Sequence, residues 1–346
     1  MRARIAFSRH VLGIALFASV LAAEAGPSAA ADGASVIMYH RFGESRYPAT
    51  NVRLDQFEGH LAELSSGRYR VLPLPEIVEA LQSGRPLPDR TVAITIDDAV
   101  RSVYTEGWPR LRQANLPFTL FVATKDLEQK SDAYMTWDQV RELARAGVTI
   151  GNHTVSHPHL PALSAERIRR EILEAQARFV AELGQAPTLF AYPYGEASTV
   201  AVGIVRELGF KAAFGQHSGA LHMTSDHFYW PRFALNENYG AQERVRMVIN
   251  ALPLPIETVS PSDPTLTQNP PVFALTVAPS VPNPRNLRCY ASESGFTFVA
   301  LEERRFEGRF AAPLPAGRAR INCTVPAGSD RFRWFSMQYY VPGGRP

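Results

Sequence analysis

From Ser35 to about Asn250, short apolar runs alternate with amphipathic stretches, and this repeat constrains the fold more than any other feature of the chain. A strand followed by a helix, repeated many times, buries both kinds of element only when the strands lie parallel beneath a layer of helices. Strands are expected over 36–39, 69–72, 92–96, 118–123, 148–151, 189–192, 211–215 and 232–235. Helical periodicity falls between them, over 54–64, 75–83, 100–113, 137–146, 165–183, 199–208 and 242–250. The fold class expected is therefore α/β, a distorted (β/α) barrel of about seven strands, with its chemistry at the C-terminal ends of the strands. Asp97, His153 and Tyr194 stand at such ends and would share one face.

After Asn250 the pattern changes. Prolines recur from Pro253 to Pro284, which no regular helix tolerates, so 253–284 is expected as a Pro-rich linker. Beyond it, short strands at 287–292, 296–301, 318–325 and 331–340 suggest a small all-β sandwich-like module over 285–346. The only cysteines, Cys289 and Cys323, both fall there, and an oxidising compartment would let them pair. Phe332, Trp334, Phe335, Tyr339 and Tyr340 would form either a sugar-stacking platform or the core of this module.

Residues 1–31 have the layout of a signal peptide: Arg2, Arg4 and Arg9, then an apolar stretch over 11–23, then small residues. Cleavage after Ala25 or Ala31 would fit, the second being favoured, and an uncleaved anchor is the alternative. No later stretch approaches eighteen apolar residues, so the expectation is an exported chain, periplasmic or secreted, with no membrane span once mature. A first globular domain would cover 32–252. The net charge is only +3 and the arginines are dispersed, which argues against nucleic acid as a partner.

Three short segments carry chemistry. In TIDDA an apolar strand stops on Asp97 and Asp98, and two adjacent carboxylates at a buried strand end cost free energy unless a cation or a protonated partner compensates them. The alternative is a cap on the helix near Val100. In HTVSH, His153 and His157 are spaced to converge on one ion, unless they are merely two surface histidines; His159 ranks behind His157 as a ligand. One aspartate and two histidines with an open position make a ligand set for a catalytic divalent metal. In FAYPYG, Pro193 and Gly195 impose an irregular backbone around Tyr194, suited either to aiming an N–H at a developing oxyanion or simply to a turn.

In this order and in a β/α chain, the three segments resemble the motifs of the polysaccharide deacetylase family, whose catalytic unit is the NodB-like domain; its first motif is typically T-F-D-D-G. With VIMYHRF at the start and this form of the third motif, the chain looks most like the poly-N-acetylglucosamine deacetylase subgroup. The resemblance implies removal of N-acetyl groups from an extracytoplasmic polysaccharide containing N-acetylglucosamine. By the same resemblance Asp97 is the general base, Asp98, His153 and His157 hold a divalent metal, Zn²⁺ by preference, and the Tyr194 N–H serves the oxyanion. An N-acetylated polysaccharide is the implied partner, with association to an exopolysaccharide or the cell wall.

The chain also departs from that pattern. Ala99 replaces the usual glycine, which would require φ below zero there, and Ala191 stands where many members carry an arginine that orients the base. Arg232 either reaches the same place or faces solvent at a strand edge. No general-acid histidine is evident; His217, His222 and His227 are candidates by position. His40 and Pro193 would meet substrate, although His40 could equally be a packing residue. Two other readings are a catalytically weak or inactive carbohydrate-binding or matrix protein of the same fold, and a metal hydrolase acting on peptides or phosphate esters.

Overall fold

The computed structural model describes Met1 and residues 30–129, 131–328 and 330–343. Its main sheet orders the strands Ala212–Phe214, Leu189–Ala191, Thr149–Asn152, Phe118–Val122, Thr91–Asp97, Gly33–Tyr39 and Ala220–His222. The first six run parallel and the last is antiparallel to Gly33–Tyr39. Two short strands add further parallel pairings, Phe233–Ala234 to Gly33–Tyr39 and Arg70–Val71 to Thr91–Asp97. The sheet curls into a half-barrel rather than closing. Its strand Ala220–His222, absent from the sequence-based expectation, is too short to carry a periodic signal.

Gly33–Tyr39 and Thr91–Asp97 are buried at every position, as parallel strands covered on both faces must be. Alternation sends Ile37, Tyr39, Ile94 and Ile96 into the larger core with Phe57 and Leu61 of the helix Leu54–Leu64. Val36 and Ala93 point the other way, into a core with Ile77 and Leu81 of the helix Leu74–Gln82. Gly151 lets the Thr149–Asn152 strand lie close to Phe121, whose ring a Cβ at that position would meet at 2.3 Å.

The helix expected over 100–113 starts late. Asp98 and Ala99 have φ of 74° and 52°, and the chain becomes a π-helix at Val103–Gly107 and then an α-helix at Trp108–Gln113. Ala99 therefore does not adopt the negative φ expected of it. Its carbonyl accepts a 2.9 Å bond from the Met135 N–H, which holds the left-handed turn against a steric cost of about 1 to 2 kcal/mol for a residue with a Cβ.

The Pro-rich stretch is not a linker. It carries the strands Ile256–Ser260 and Val272–Val277, because its prolines cluster at the turns and leave these segments free to pair. Together with Arg305–Phe310 and Phe296–Ala300 they form one four-stranded sheet of a sandwich. The other sheet orders Leu252–Pro253, Phe332–Val341, Gly317–Pro326 and Arg288–Ala291. The β module thus begins directly at the end of the barrel, where Leu252 and Pro253 pair with Arg333 and Trp334.

The strand Phe332–Val341 serves two interfaces by alternation. Phe335, Met337 and Tyr339 enter the sandwich core. Trp334 packs edge-on against Phe233 of the barrel, while Ser336 and Gln338 donate to the carbonyls of Ser218 and Tyr194. Of the aromatics expected as either platform or core, Tyr339 is buried in the sandwich and Phe332, Trp334, Phe335 and Tyr340 are half-buried.

Cys289 and Cys323 sit opposite one another on paired strands and form a disulfide. Replacing both by serine is expected to destabilise the module by about 3 to 4 kcal/mol on the chain-entropy model. Chemical denaturation followed by Trp334 fluorescence checks this, and a change within experimental error would show that the sandwich core holds the module without the crosslink.

The expected signal peptide lies outside the described residues apart from Met1 and its end, where Ala30–Ala31 pairs with Leu87–Pro88. Among the described residues no helix is long and apolar enough to cross a membrane.

Candidate active site

Asp97 ends its strand with no exposed surface and receives both terminal nitrogens of Arg232, at 2.7 and 2.8 Å. Arg232 is itself fully buried, with further bonds to the Gly215 carbonyl at 2.9 Å and Thr95 Oγ1 at 3.2 Å. Of the two places open to Arg232 from its sequence position, it takes the one beside Asp97. Burial works against ionisation of Asp97, but the guanidinium, aided by the nearby His153 and His40, outweighs it and holds the pKa down to about 2. Asp97 is therefore a fixed carboxylate at neutral pH.

Asp98 is turned by its positive φ away from that pair and toward two imidazoles. Its Oδ1 lies 3.6 Å from His153 Nε2 and 3.5 Å from His157 Nε2, and the three residues offer ligand atoms within 4.8 Å of one another. His153 Nδ1 bonds the Ala191 carbonyl at 2.7 Å, and a carbonyl only accepts, so Nδ1 carries the proton and Nε2 presents a lone pair. Burial, then the neighbouring His157, push the His153 pKa down to about 4, which keeps the ring neutral. Asp98 Oδ1 and His153 Nε2 are both buried without a hydrogen-bond partner. Two electron-rich atoms facing one another in this way repel unless a cation lies between them. The residues present thus fit a divalent metal.

The histidine loop is held from several sides. Thr154 and His157 adopt φ of 71° and 54°; Asn152 Oδ1 receives the Thr154 N–H at 2.7 Å and Thr154 Oγ1 the His157 N–H at 3.1 Å. Glu171, from the helix Ala165–Leu183, accepts from the N–H groups of Val155 and Ser156 and from the Ser156 hydroxyl. Pro193–Gly195 forms a 3₁₀ turn, with Tyr194 at φ 58° and its ring 4.4 Å from that of His157. Asp98, Ala99, Thr154, His157 and Tyr194 thus gather five left-handed non-glycine residues at one end of the sheet, a concentration of strain typical of functional sites.

His159 stacks on Tyr194 at 4.2 Å and bonds Glu196, so it lies outside the triad. His40 stands 4.0 Å from Asp97 Oδ2 and remains partly exposed. The three histidines considered for the general acid have other partners: His217 packs on Tyr229, His222 bonds Asp32 and Thr224, and His227 bonds the Met223 carbonyl. Among the described contacts none of them touches Asp97, Asp98, His153 or His157.

Residues 84–213 match the family model described as polysaccharide deacetylase. The chain carries a polysaccharide deacetylase domain. Relatives include YxkH of Bacillus subtilis, 24% identical over 185 residues, and the poly-β-1,6-N-acetyl-D-glucosamine N-deacetylase of Escherichia coli K12, 25% identical over 240 residues. These matches take in 54% and 58% of this chain, and the chain spans 65% and 36% of the respective relatives. Two solved structures share the fold. The Streptococcus pyogenes deacetylase PplD has a TM-score of 0.58 at 23% identity over 63% of this chain and 98% of its own, and IcaB from Ammonifex degensii has 0.57 at 24% over 63% and 97%.

Around the deacetylase domain's site stand residues that sequence reasoning missed. Gln338 of the β module donates to the Tyr194 carbonyl at 3.0 Å, and the Arg318 guanidinium lies 5.7 Å from the Tyr194 ring centre. Nothing local in the sequence marks either one, since both reach the site only through docking of the module. Glu171 lacked a signal for the same reason: it is one of several charged residues on an amphipathic helix.

Proposed function

We propose that this chain is a metal-dependent hydrolase that removes N-acetyl groups from a polysaccharide containing N-acetylglucosamine, outside the cytoplasm. The observation that carries this reading is the pair of buried, unpartnered acceptors, Asp98 Oδ1 and His153 Nε2, beside His157 and next to an arginine-held carboxylate. Asp98, His153 and His157 would hold the metal, with Zn²⁺ favoured by a set of two imidazoles and one carboxylate. When bound, it supplies Lewis-acid polarisation of the acetamide carbonyl and acidifies water.

The chain's own groups perform the rest. Asp97 accepts the proton of the attacking water, and Arg232 keeps that carboxylate ionised and correctly turned. The Tyr194 N–H, on its strained turn, serves the oxyanion. His40, 4.0 Å from Asp97 Oδ2 and partly open to solvent, donates a proton to the departing amine nitrogen. Pro193, in the same turn as Tyr194, would meet the substrate. Acetate and a free amine leave. An exported location follows from the N-terminal pattern of the sequence, and association with an exopolysaccharide or the cell wall follows from the substrate.

The test is acetate release by the purified, Zn²⁺-loaded chain from poly-β-1,6-N-acetylglucosamine, chitin oligomers and peptidoglycan side by side, each with and without a chelator. Release that stops on chelation is expected; release of a different product, or none from any glycan, would sink the proposal. Asp97→Asn is expected to keep its metal while losing about 10²-fold or more in kcat, the usual contribution of a positioned base. Metal analysis beside the kinetics separates this from loss of a ligand.

A further inference from the structure

A cavity of about 580 Å³ opens between the rim of the barrel and the β module. His40 forms part of its wall, so the cavity adjoins the site built around Asp97. Three guanidinium groups line it: Arg244 from the helix Gln242–Ile249, and Arg318 and Arg320 from the strand Gly317–Pro326. No aspartate or glutamate lines it.

Among the described contacts the three arginines share a single anionic neighbour, Glu196, whose other carboxylate oxygen bonds His159. The closest described contact of Arg244 is the Tyr239 ring at 4.9 Å, and its Nη1 is buried with no acceptor. Arg320 Nε donates to the neutral Gln338 Oε1 at 2.8 Å. The nearest carboxylate to Arg318 is Glu196, at 3.8 Å, beyond hydrogen-bond distance. Elsewhere the chain pairs its arginines closely, as with Arg110 and Glu58 at 2.8 Å or Arg331 and Asp89 at 2.9 Å. Burial pushes the pKa values of Arg244 and Arg320 down, and Arg318 adds repulsion at Arg320. Like charges gathered in a concave, partly dehydrated wall are destabilising unless a ligand neutralises them, and guanidinium groups match the planar, two-oxygen geometry of a carboxylate. Trp334, half-buried against Phe233, stands in the same wall.

We propose that this cavity is a subsite for a carboxylate-bearing sugar adjoining the N-acetylated residue, so that the preferred substrate is an acidic N-acetylated glycan rather than a neutral homopolymer. The proposal rests on the deacetylase reading and narrows its substrate. The β module acts here as a wall that selects substrate, and two of the three selecting guanidinium groups belong to its strand Gly317–Pro326.

The experiment is calorimetric titration of the Zn²⁺-loaded full chain with four probes. They are a hexasaccharide of alternating glucuronic acid and N-acetylglucosamine, the same hexasaccharide with its carboxyls methyl-esterified, a neutral N-acetylglucosamine hexamer, and sodium acetate. The acid is expected to bind about tenfold or more tighter than its ester, and R318Q/R320Q should reduce that ratio to near unity. R318Q alone, at a side chain that is 41% exposed, should reduce it in part and guards against misfolding of the double variant. Equal affinity for acid and ester overturns the proposal, as does a ratio unchanged in the variants. Tight binding of acetate without any advantage for the acidic hexasaccharide also overturns it, by making the cavity a product exit. Acetate release from the neutral hexamer, measured in parallel, reports on the deacetylase reading separately: its presence with no acid preference leaves that reading standing, and its absence with every glycan removes it whatever the binding ratio.

Discussion

Arg232→Met is expected to destabilise the chain by about 3 to 5 kcal/mol and to abolish acetate release. Both partners of the Arg232–Asp97 pair have no exposed surface, and the two bonds between them are short and parallel. Removing one partner of such a pair leaves a charge buried without compensation, which costs far more than the net worth of the intact pair. Without the guanidinium, burial alone would drive the Asp97 pKa upward, and a protonated carboxyl cannot accept a proton from water. Arg232→Lys is expected to rescue only a part, because a single ammonium cannot make the two-point contact and also reach the Gly215 carbonyl. Urea unfolding of Arg232→Met and of Arg232→Met/Asp97→Asn gives the check. The double variant, with no buried charge at this place, should regain stability without regaining activity. An Arg232→Met protein as stable as the parent would mean that solvent reaches Asp97 and that the pair is not structural.

His153→Ala is expected to weaken metal binding by about 100-fold or more and to lower kcat by about 10²-fold or more. Of the two imidazoles, His153 is the fully buried one, and its Nδ1 bond to the Ala191 carbonyl fixes both ring orientation and tautomer before any metal arrives. A ligand organised in this way contributes more to affinity than His157, whose ring is partly exposed and sits on a strained loop residue. His157→Ala is therefore expected to show the same defect to a smaller degree. Elemental analysis after dialysis, together with competition against a chelator of known affinity, measures the effect. Retention of stoichiometric metal at parental affinity by His153→Ala would place the ion elsewhere.

The deacetylase motifs were legible from sequence because each is local. TIDDA announces an apolar strand ending in charge, HTVSH has a ligand spacing, and FAYPYG has a turn composition that forces irregular backbone. The left-handed Ala99 was not legible, because an alanine ordinarily avoids positive φ; a hydrogen bond from Met135, thirty-six residues away, overrides that preference. His217, His222 and His227 are candidates for a general acid by sequence position alone, and the fold sets His40, from the first strand end, 4.0 Å from Asp97 Oδ2. Proximity in such a site is set by adjacency of strands in the sheet, and Gly33–Tyr39 is the neighbour of Thr91–Asp97.

Periodicity and strand-end chemistry, both properties of a few consecutive residues, were enough to determine the α/β class and the seven-strand scale of the sheet, and they singled out the Asp97–Asp98 pair together with His153 and His157. Only the tertiary structure decided which partners those residues meet across long separations. Arg232 closes on Asp97 over 135 residues, and Gln338 reaches Tyr194 over 144. It also decided that the Pro-rich stretch pairs as strands and that the β module docks beside Tyr194. These outcomes depend on burying surface between distant segments and on satisfying buried polar groups with whatever the docked segment presents, and neither quantity is written in local sequence.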